Sequence, residues 1–310
     1  MLLNATQLEA FERNGYLVVE SLFNDGDLQP VIDEIDEAID HRAREAVAGG
    51  TLTRSYERYP FETRLAQINN ENHDVATSMW DGQLNGPAFF NLIRHNRLLD
   101  LAEQLMGPEL IASSVYRLRP KVPNHAKSQV PWHQDSGYLD PFCDNDLILT
   151  VWIPFVDANE TNGCLWVIPA AHQGNELYCH RRAHDNPYLA IDDDRLPRHR
   201  AVCVPVNKGS VLLLTNRTPH ASFENHTDMV RWSMDLRYQS AALPTNAPVS
   251  QIPGELSNSR SEDVPPACYP PEPDFLVRSR TRPSEVMTNA AEFHELRDKH
   301  MQVGWRNRWE

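Results

Sequence analysis

The sequence predicts a mainly β fold with helices packed outside it, a sandwich or jelly roll. Three observations carry this reading. From Leu110 onward, short apolar runs follow one another, punctuated by Gly, Pro, Asn and Asp, the texture of strands joined by turns. Before Leu110, apolar residues recur at helical spacing instead. No internal repeat and no clean linker divides the 310 residues. One domain is therefore expected, with a mainly helical part over 1–109 and a jelly-roll core over 110–240. An insertion at 171–200 interrupts that core, and a C-terminal wrap and helix follow over 241–310.

Taken in order, Thr6 with Glu9 predicts a capping-box start for a short helix that ends at Gly15, before the run YLVV. A second helix is expected from about Asp27 to about Ala48, with Leu28, Val31, Ile32, Ile35 and Ile39 on one face, stopped by Gly49-Gly50. A third, AFFNLIRHNRLLDLAEQLMGPE over 88–109, closes at Gly107-Pro108. The strand-like runs are LIASSVYRLRP, LILTVWIPFVD, CLWVIP, AVCVPV, SVLLLT and RWSMDLRYQ. Asn162-Gly163 reads as a hairpin turn. The segment 241–285, rich in Pro and Ser, reads as ordered loop, and 283–300 as a last helix.

The 29 basic and 43 acidic side chains leave a formal charge of −14. That balance argues against a nucleic-acid partner, which needs clustered Lys and Arg. The five cysteines, Cys143, Cys164, Cys179, Cys203 and Cys268, form no C-x-x-C pair. Neither a zinc knuckle nor a disulfide framework is supported, and a reducing compartment fits best. No signal peptide and no apolar run of membrane-spanning length is legible. A cytoplasmic protein without a membrane partner is expected.

The chemistry concentrates in PWHQDSGYL, residues 131–139. Side chains two apart on a strand share a face, so His133 and Asp135 can offer an imidazole nitrogen and a carboxylate oxygen to one point. That is two thirds of the facial triad of non-haem Fe(II). A third ligand is expected from a histidine on another strand, and His220, after the apolar run SVLLLT, is the best candidate. Eleven residues later comes Arg231, which a hairpin would return to the metal, where its fork can grip a dicarboxylate. Ser222 shares the face of His220. The alternative for Arg231 is a rim salt bridge to Asp228 or Glu224.

The pieces WHQDSGY, WIPFVDANETNGCLWVIPAAH and GSVLLLTNRTPHASFENHTDMVRWSMDLRY, with the opening LEAFERNGYLVV, resemble the phytanoyl-CoA dioxygenase family of Fe(II)/2-oxoglutarate oxygenases. The likeness runs from about residue 6 to about residue 240. It implies a double-stranded β-helix, the cupin-like jelly roll, with Fe(II), 2-oxoglutarate and O2 as cofactor and cosubstrates. Within it His133, Asp135 and His220 match the iron ligands, and Arg231 with Ser222 match the binders of the cosubstrate's distal carboxylate. Trp152 corresponds to an aromatic bordering the cosubstrate. Ala170-Ala171 before His172 stands where the family usually has Gly-Ser, and the intact Asp135 argues against a halogenase.

Other residues stay open between two readings. Gln134 points away from the metal on a regular strand but inward at a bulge, which makes it a further cofactor-binding candidate. Trp132 and Tyr138 pack or recognise substrate. Arg117 and Arg119 meet a ligand or form an exposed pair, and with Lys121 they make a local basic patch. His172, His180, His184 and His199 lie in the insertion expected at the mouth, as ligand contacts or as a solvated loop. The expected activity is hydroxylation of a C–H bond of a small organic molecule, with release of succinate and CO2. Desaturation, cyclisation or epimerisation would use the same site. The rival of another class is a non-catalytic, metal-containing jelly-roll binding protein.

Overall fold

The computed structural model describes residues 2–80, 84–125, 128–139, 144–174, 177–182, 188–191, 194–241 and 274–301. Cys143, His184, Cys268 and most of the expected wrap lie outside them. The first helix, α1 (Ala5–Asn14), starts two residues before the expected position: Asn4 Oδ1 accepts from Gln7 N at 2.9 Å while Gln7 Oε1 accepts from Asn4 N at 3.0 Å. It ends at Gly15 in a left-handed conformation, where a Cβ would strike His172 and Thr218. YLVV becomes the edge strand β1 (Tyr16–Val19).

Helix α2 (Asp25–Ala48) buries the expected face. Two short helices, α3 (Phe61–Asn69) and α4 (His73–Ser78), were not anticipated, being too brief to show a period. The expected third helix is two, α5 (Pro87–Ile93) and α6 (Asn96–Met106). His95 breaks it, its Nδ1 accepting from Arg97 N at 3.3 Å to cap the second piece. The last helix, α7 (Ala290–Met301), begins later than predicted, after a single 3-10 turn at 283–285. Among the described residues no helix is long and apolar enough to cross a membrane.

The strands are β2 (Leu110–Ser113), β3 (Arg117–Lys121), β4 (Val130–His133), β5 (Ile148–Pro154), β6 (Leu165–Val167), β7 (His180–Arg182) and β8 (Leu189–Ile191). They continue with β9 (Val202–Val204), β10 (Val211–Thr215), β11 (His220–Ser222), β12 (Arg231–Ser240) and β13 (Asp274–Arg278). A major antiparallel sheet runs β1-β10-β5-β12-β2-β13, with β3 also on β12, and a minor one runs β4-β11-β6-β9. This is a jelly roll with helices on its outer side.

Two sequence expectations fail here for one reason, the choice of sheet. His220 and Arg231 do not share a hairpin: β11 lies in the minor sheet and β12 in the major one. Likewise Asn162-Gly163 turns the chain from β5 in one sheet to β6 in the other.

Strand β12 decides what sits where. Trp232, Met234, Leu236 and Tyr238 belong to the large core beneath the helices, where Phe61 stacks on Trp232 at 5.2 Å. Arg231, Ser233, Asp235, Arg237 and Gln239 alternate with them, all buried on the opposite face, between the sheets. A smaller apolar cluster of Trp152, Leu165, Val167, Val204, Leu212 and Leu214 fills part of that space. Cys164 and Cys203 meet there as free thiols, Sγ to Sγ 3.1 Å.

Candidate active site

The two histidines come from neighbouring strands of the minor sheet. His133 ends β4 and is paired in register with His220, which opens β11; their rings stand 4.1 Å apart. Each spends Nδ1 on a backbone carbonyl, His133 on Pro131 O at 2.8 Å and His220 on Thr218 O at 2.9 Å. A carbonyl only accepts, so Nδ1 carries the proton and the Nε2 lone pair faces the interior. Burial first, and His220 second, push His133 well below the ordinary histidine range, which keeps it neutral.

Asp135 reaches the same point by a different route from the one expected. The strand stops at His133 and Asp135 opens a 3-10 turn, Asp135–Tyr138. The major sheet then fixes its carboxylate: Thr150 Oγ1 donates to Oδ2 at 2.5 Å and Arg237 Nη2 donates to Oδ1 at 2.9 Å. Burial raises the pKa of Asp135, but the charge of Arg237, with the Thr150 hydroxyl beside it, outweighs that and holds the group well below the carboxylate range. The ligand atoms of His133, Asp135 and His220 lie within 4.8 Å of one another. Among the described residues this is the one cluster of three such side chains able to meet at an ion. Two imidazoles and a carboxylate, all buried, are a donor set that fits divalent iron.

A cavity opens on this cluster. Arg231 lines it, 1% exposed, donating from Nη2 to Ser222 Oγ at 3.2 Å and from Nη1 to Ser233 Oγ. Its carbon Cζ stands 5.3 Å from the Trp152 ring. Ser222 also donates to Gly163 O at 3.0 Å. Burial and the nearby Arg119 push the guanidinium down to about 9, still cationic at neutral pH. Neither Asp228 nor Glu224 pairs with it, so the rim alternative is not what is seen; Glu224 instead accepts from Gln129 at 2.9 Å. Arg231 Nε and Trp152 Nε1 are buried without partners. A buried cation with spare donors and no carboxylate is a site built for an anion.

Gln134 corrects its expectation. It does not line the cavity: its Nε2 donates to Arg217 O at 2.7 Å and its Oε1 accepts from Tyr178 N at 3.0 Å. The oxygen end fastens the insertion to the metal-facing turn, and the nitrogen end ties that turn to the segment between β10 and β11. His180 adds to that latch, Nε2 accepting from Gln134 N at 2.9 Å, and Tyr138 OH accepts from Leu189 N at 2.7 Å. Among the described residues the insertion histidines do not gather: His172 bonds Glu12 O at 2.9 Å, His180 is buried in the latch, and His199 is exposed. Trp132 packs edge-on to Phe223.

Arg119, left open by sequence, lines the cavity and pairs with Asp235 at 2.8 Å, while Arg117 does not line it. Thr150, Asp235 and Arg237 escaped the sequence reading altogether. The one signal for Asp235 and Arg237 was the strict polar–apolar alternation of RWSMDLRYQ, which does not say that the polar face is also buried; Thr150, a lone hydroxyl in the apolar run LILTVWIPFVD, carried none.

The family model of phytanoyl-CoA dioxygenase (PhyH) matches residues 11–233. The chain is 25% identical over 254 residues to the peroxisomal phytanoyl-CoA dioxygenase of Homo sapiens, covering 77% of this chain and 69% of that one. It is 26% identical over 242 residues to a probable alpha-ketoglutarate-dependent hypophosphite dioxygenase of Stutzerimonas stutzeri, covering 76% and 79%. Among solved structures, the apo non-heme monooxygenase ThoJ superposes with a TM-score of 0.56 at 19% identity, covering 95% of this chain and 97% of that one. That likeness is one of fold.

Proposed function

This chain belongs to the phytanoyl-CoA dioxygenase family of Fe(II)/2-oxoglutarate-dependent dioxygenases, and on that premise we propose that it hydroxylates a C–H bond of a small organic substrate. In this reading His133, Asp135 and His220 hold the iron, Arg231 with Ser222 holds the distal carboxylate of 2-oxoglutarate, and Trp152 borders it. The observation that carries it is the fully buried Arg231 guanidinium, bonded to two serine hydroxyls but to no carboxylate among the described residues, in the same cavity as the three ligands. Bound iron would supply the redox chemistry by which 2-oxoglutarate, O2 and the substrate give succinate, CO2 and the hydroxylated substrate.

The chain's own residues do the rest. The Nδ1 bonds fix the ring planes of the two histidines. Thr150 and Arg237 orient the carboxylate and keep it ionised. Val130, Leu165 and Leu214 line the cavity with apolar surface that keeps water from the reacting groups. The latch of Gln134, His180 and Tyr138 holds the insertion against the metal-facing turn. Desaturation, ring closure and epimerisation would need the same residues, and product analysis separates them.

Anaerobic addition of Fe(II) and 2-oxoglutarate is expected to give a weak visible charge-transfer band, absent in His220→Ala. Arg231→Leu is expected to weaken 2-oxoglutarate binding at least tenfold, about 1.4 kcal/mol or more. Unchanged cosubstrate affinity in that variant sinks the role of Arg231. A protein that binds iron yet releases no succinate would be the non-catalytic binder instead.

A further inference from the structure

The polar face of β12 does not stop at the metal ligands. Beyond Arg237 it continues to Gln239, and there a second, small cavity opens. Among the described residues it is lined by Ser113, Leu139, Ile148, Arg237, Tyr238, Gln239 and Asp274. Arg237 lines both cavities. The register gives the spacing: Arg237 pairs with Thr150, the two residues that grip Asp135, and Gln239 pairs with Ile148. One such step is two residues, about 7 Å along the strand.

We propose that this second cavity is the primary-substrate subsite, and that it holds a hydrogen-bond-donating head group, a hydroxyl or an ammonium. The inference rests on the dioxygenase reading above, in which the Arg231 end is taken by the cosubstrate. Gln239 is 4% exposed and its Nε2 donates to Asp274 Oδ2 at 2.9 Å. A carboxylate only accepts, so that bond fixes which way the amide faces. It leaves Gln239 Oε1, buried and without a partner, as an acceptor awaiting a donor. The adjoining carboxylate of Asp274 adds negative charge, which favours a cation or a hydroxyl over an anion. The cationic group on this wall, Arg237, is already bonded to Asp135 and lies 3.5 Å from Asp235. Leu139 and Ile148 supply apolar walls for hydrocarbon. With the head anchored about 7 Å from the grip on Asp135, the carbon presented to the metal stands several bonds away from it.

The test uses full-length protein with zinc in place of iron and saturating 2-oxoglutarate, probed by saturation-transfer NMR with four ligands of like size. These are butanol and butylammonium as donors, 2-pentanone as an acceptor alone, and butyrate as an anion. The donors are expected to bind at least fivefold more tightly than the other two. Gln239→Leu, and Ser113→Leu, which fills the cavity from β2, are each expected to remove that preference, with circular dichroism melts confirming that both fold. Equal or tighter binding of butyrate or 2-pentanone overturns the inference, a result read on the native chain and independent of either variant. Donor binding unchanged in a folded Gln239→Leu overturns it too. If the iron-loaded native protein gave no charge-transfer band with 2-oxoglutarate, the dioxygenase reading would fall, and with it the assignment of this cavity to a substrate. A band with no donor preference sinks the subsite alone.

Discussion

Lys121 carries its amine into the interior, where Nζ donates to Ser128 O and Phe223 O at 2.7 Å each, with Ser222 O farther off at 3.3 Å. Burial first, then Arg231 and Arg119, push its pKa down to about 6. A neutral amine has two hydrogens, which match the two short bonds. An unfolded lysine titrates near 10.4, so between about pH 6 and that value the unfolded chain holds a proton that the folded one lacks. Stability from this site therefore rises with pH across the window, by up to about 1.4 kcal/mol per pH unit. Urea midpoints measured from pH 6.5 to pH 9 are expected to climb in the native chain and to climb less steeply in Lys121→Met. Equal slopes would refute the buried neutral amine.

At the same scale, Thr150 holds the outer oxygen of Asp135. Thr150→Val removes that bond at nearly constant volume and is expected to weaken Fe(II) binding about 10- to 100-fold. Anaerobic metal titration reads this directly, and an unchanged affinity would show that the hydroxyl does not position the ligand.

Among the elements, the turn between β5 and β6 ties Lys121 to the site. Gly163 has φ 81° there, and a Cβ would stand 2.6 Å from Lys121 Cδ and 2.7 Å from Phe223 O. Its carbonyl also receives the Ser222 hydroxyl that meets Arg231. Gly163→Ala is expected to cost about 1–3 kcal/mol of stability and to raise the KM for 2-oxoglutarate more than it lowers kcat. A thermal melt and a cosubstrate saturation curve check the two parts.

Elements also mark how far the sequence could be read. Each strand-like run became a strand, because alternation and turn residues are local signals. The pair at 133 and 135 was legible, but the strand alternation invoked for it was not the cause: Asp135 sits on a 3-10 turn held by Thr150 and Arg237, which lie far off in sequence. The hairpin imagined between 220 and 231 failed because sheet membership is set by non-local pairing. Helices α3 and α4 were too short to carry a period, and His95 broke a helix whose apolar spacing ran straight through it.

On the scale of the whole molecule, the cluster of His133, Asp135 and His220 bridges the two sheets, with imidazoles from one and a carboxylate pinned by the other. The C-terminal part closes the opposite side. Strand β13 extends the major sheet beside β2, and α7 sets Phe293 against Phe90 at 4.9 Å and Phe275 at 5.6 Å. Arg297, buried, donates to Ser114 O and lies 3.8 Å over the Tyr116 ring. Both Phe293 and Tyr116 belong to the core that also holds α2, α5 and β12 residues. Phe293→Ala is expected to cost about 3–5 kcal/mol and to leave a single cooperative unfolding transition. Two separated transitions in calorimetry would show that this helix is an appendage and not a part of the common core.

The two-sided chemistry of β12 has a consequence for assembly. Sliding this strand by one residue would drive Arg231, Asp235 and Arg237 into the oily layer under the helices and turn Trp232, Met234 and Leu236 toward the cleft. No packed but misaligned form can approach the native one in energy, so correct folding and correct placement of the reactive groups are won or lost together.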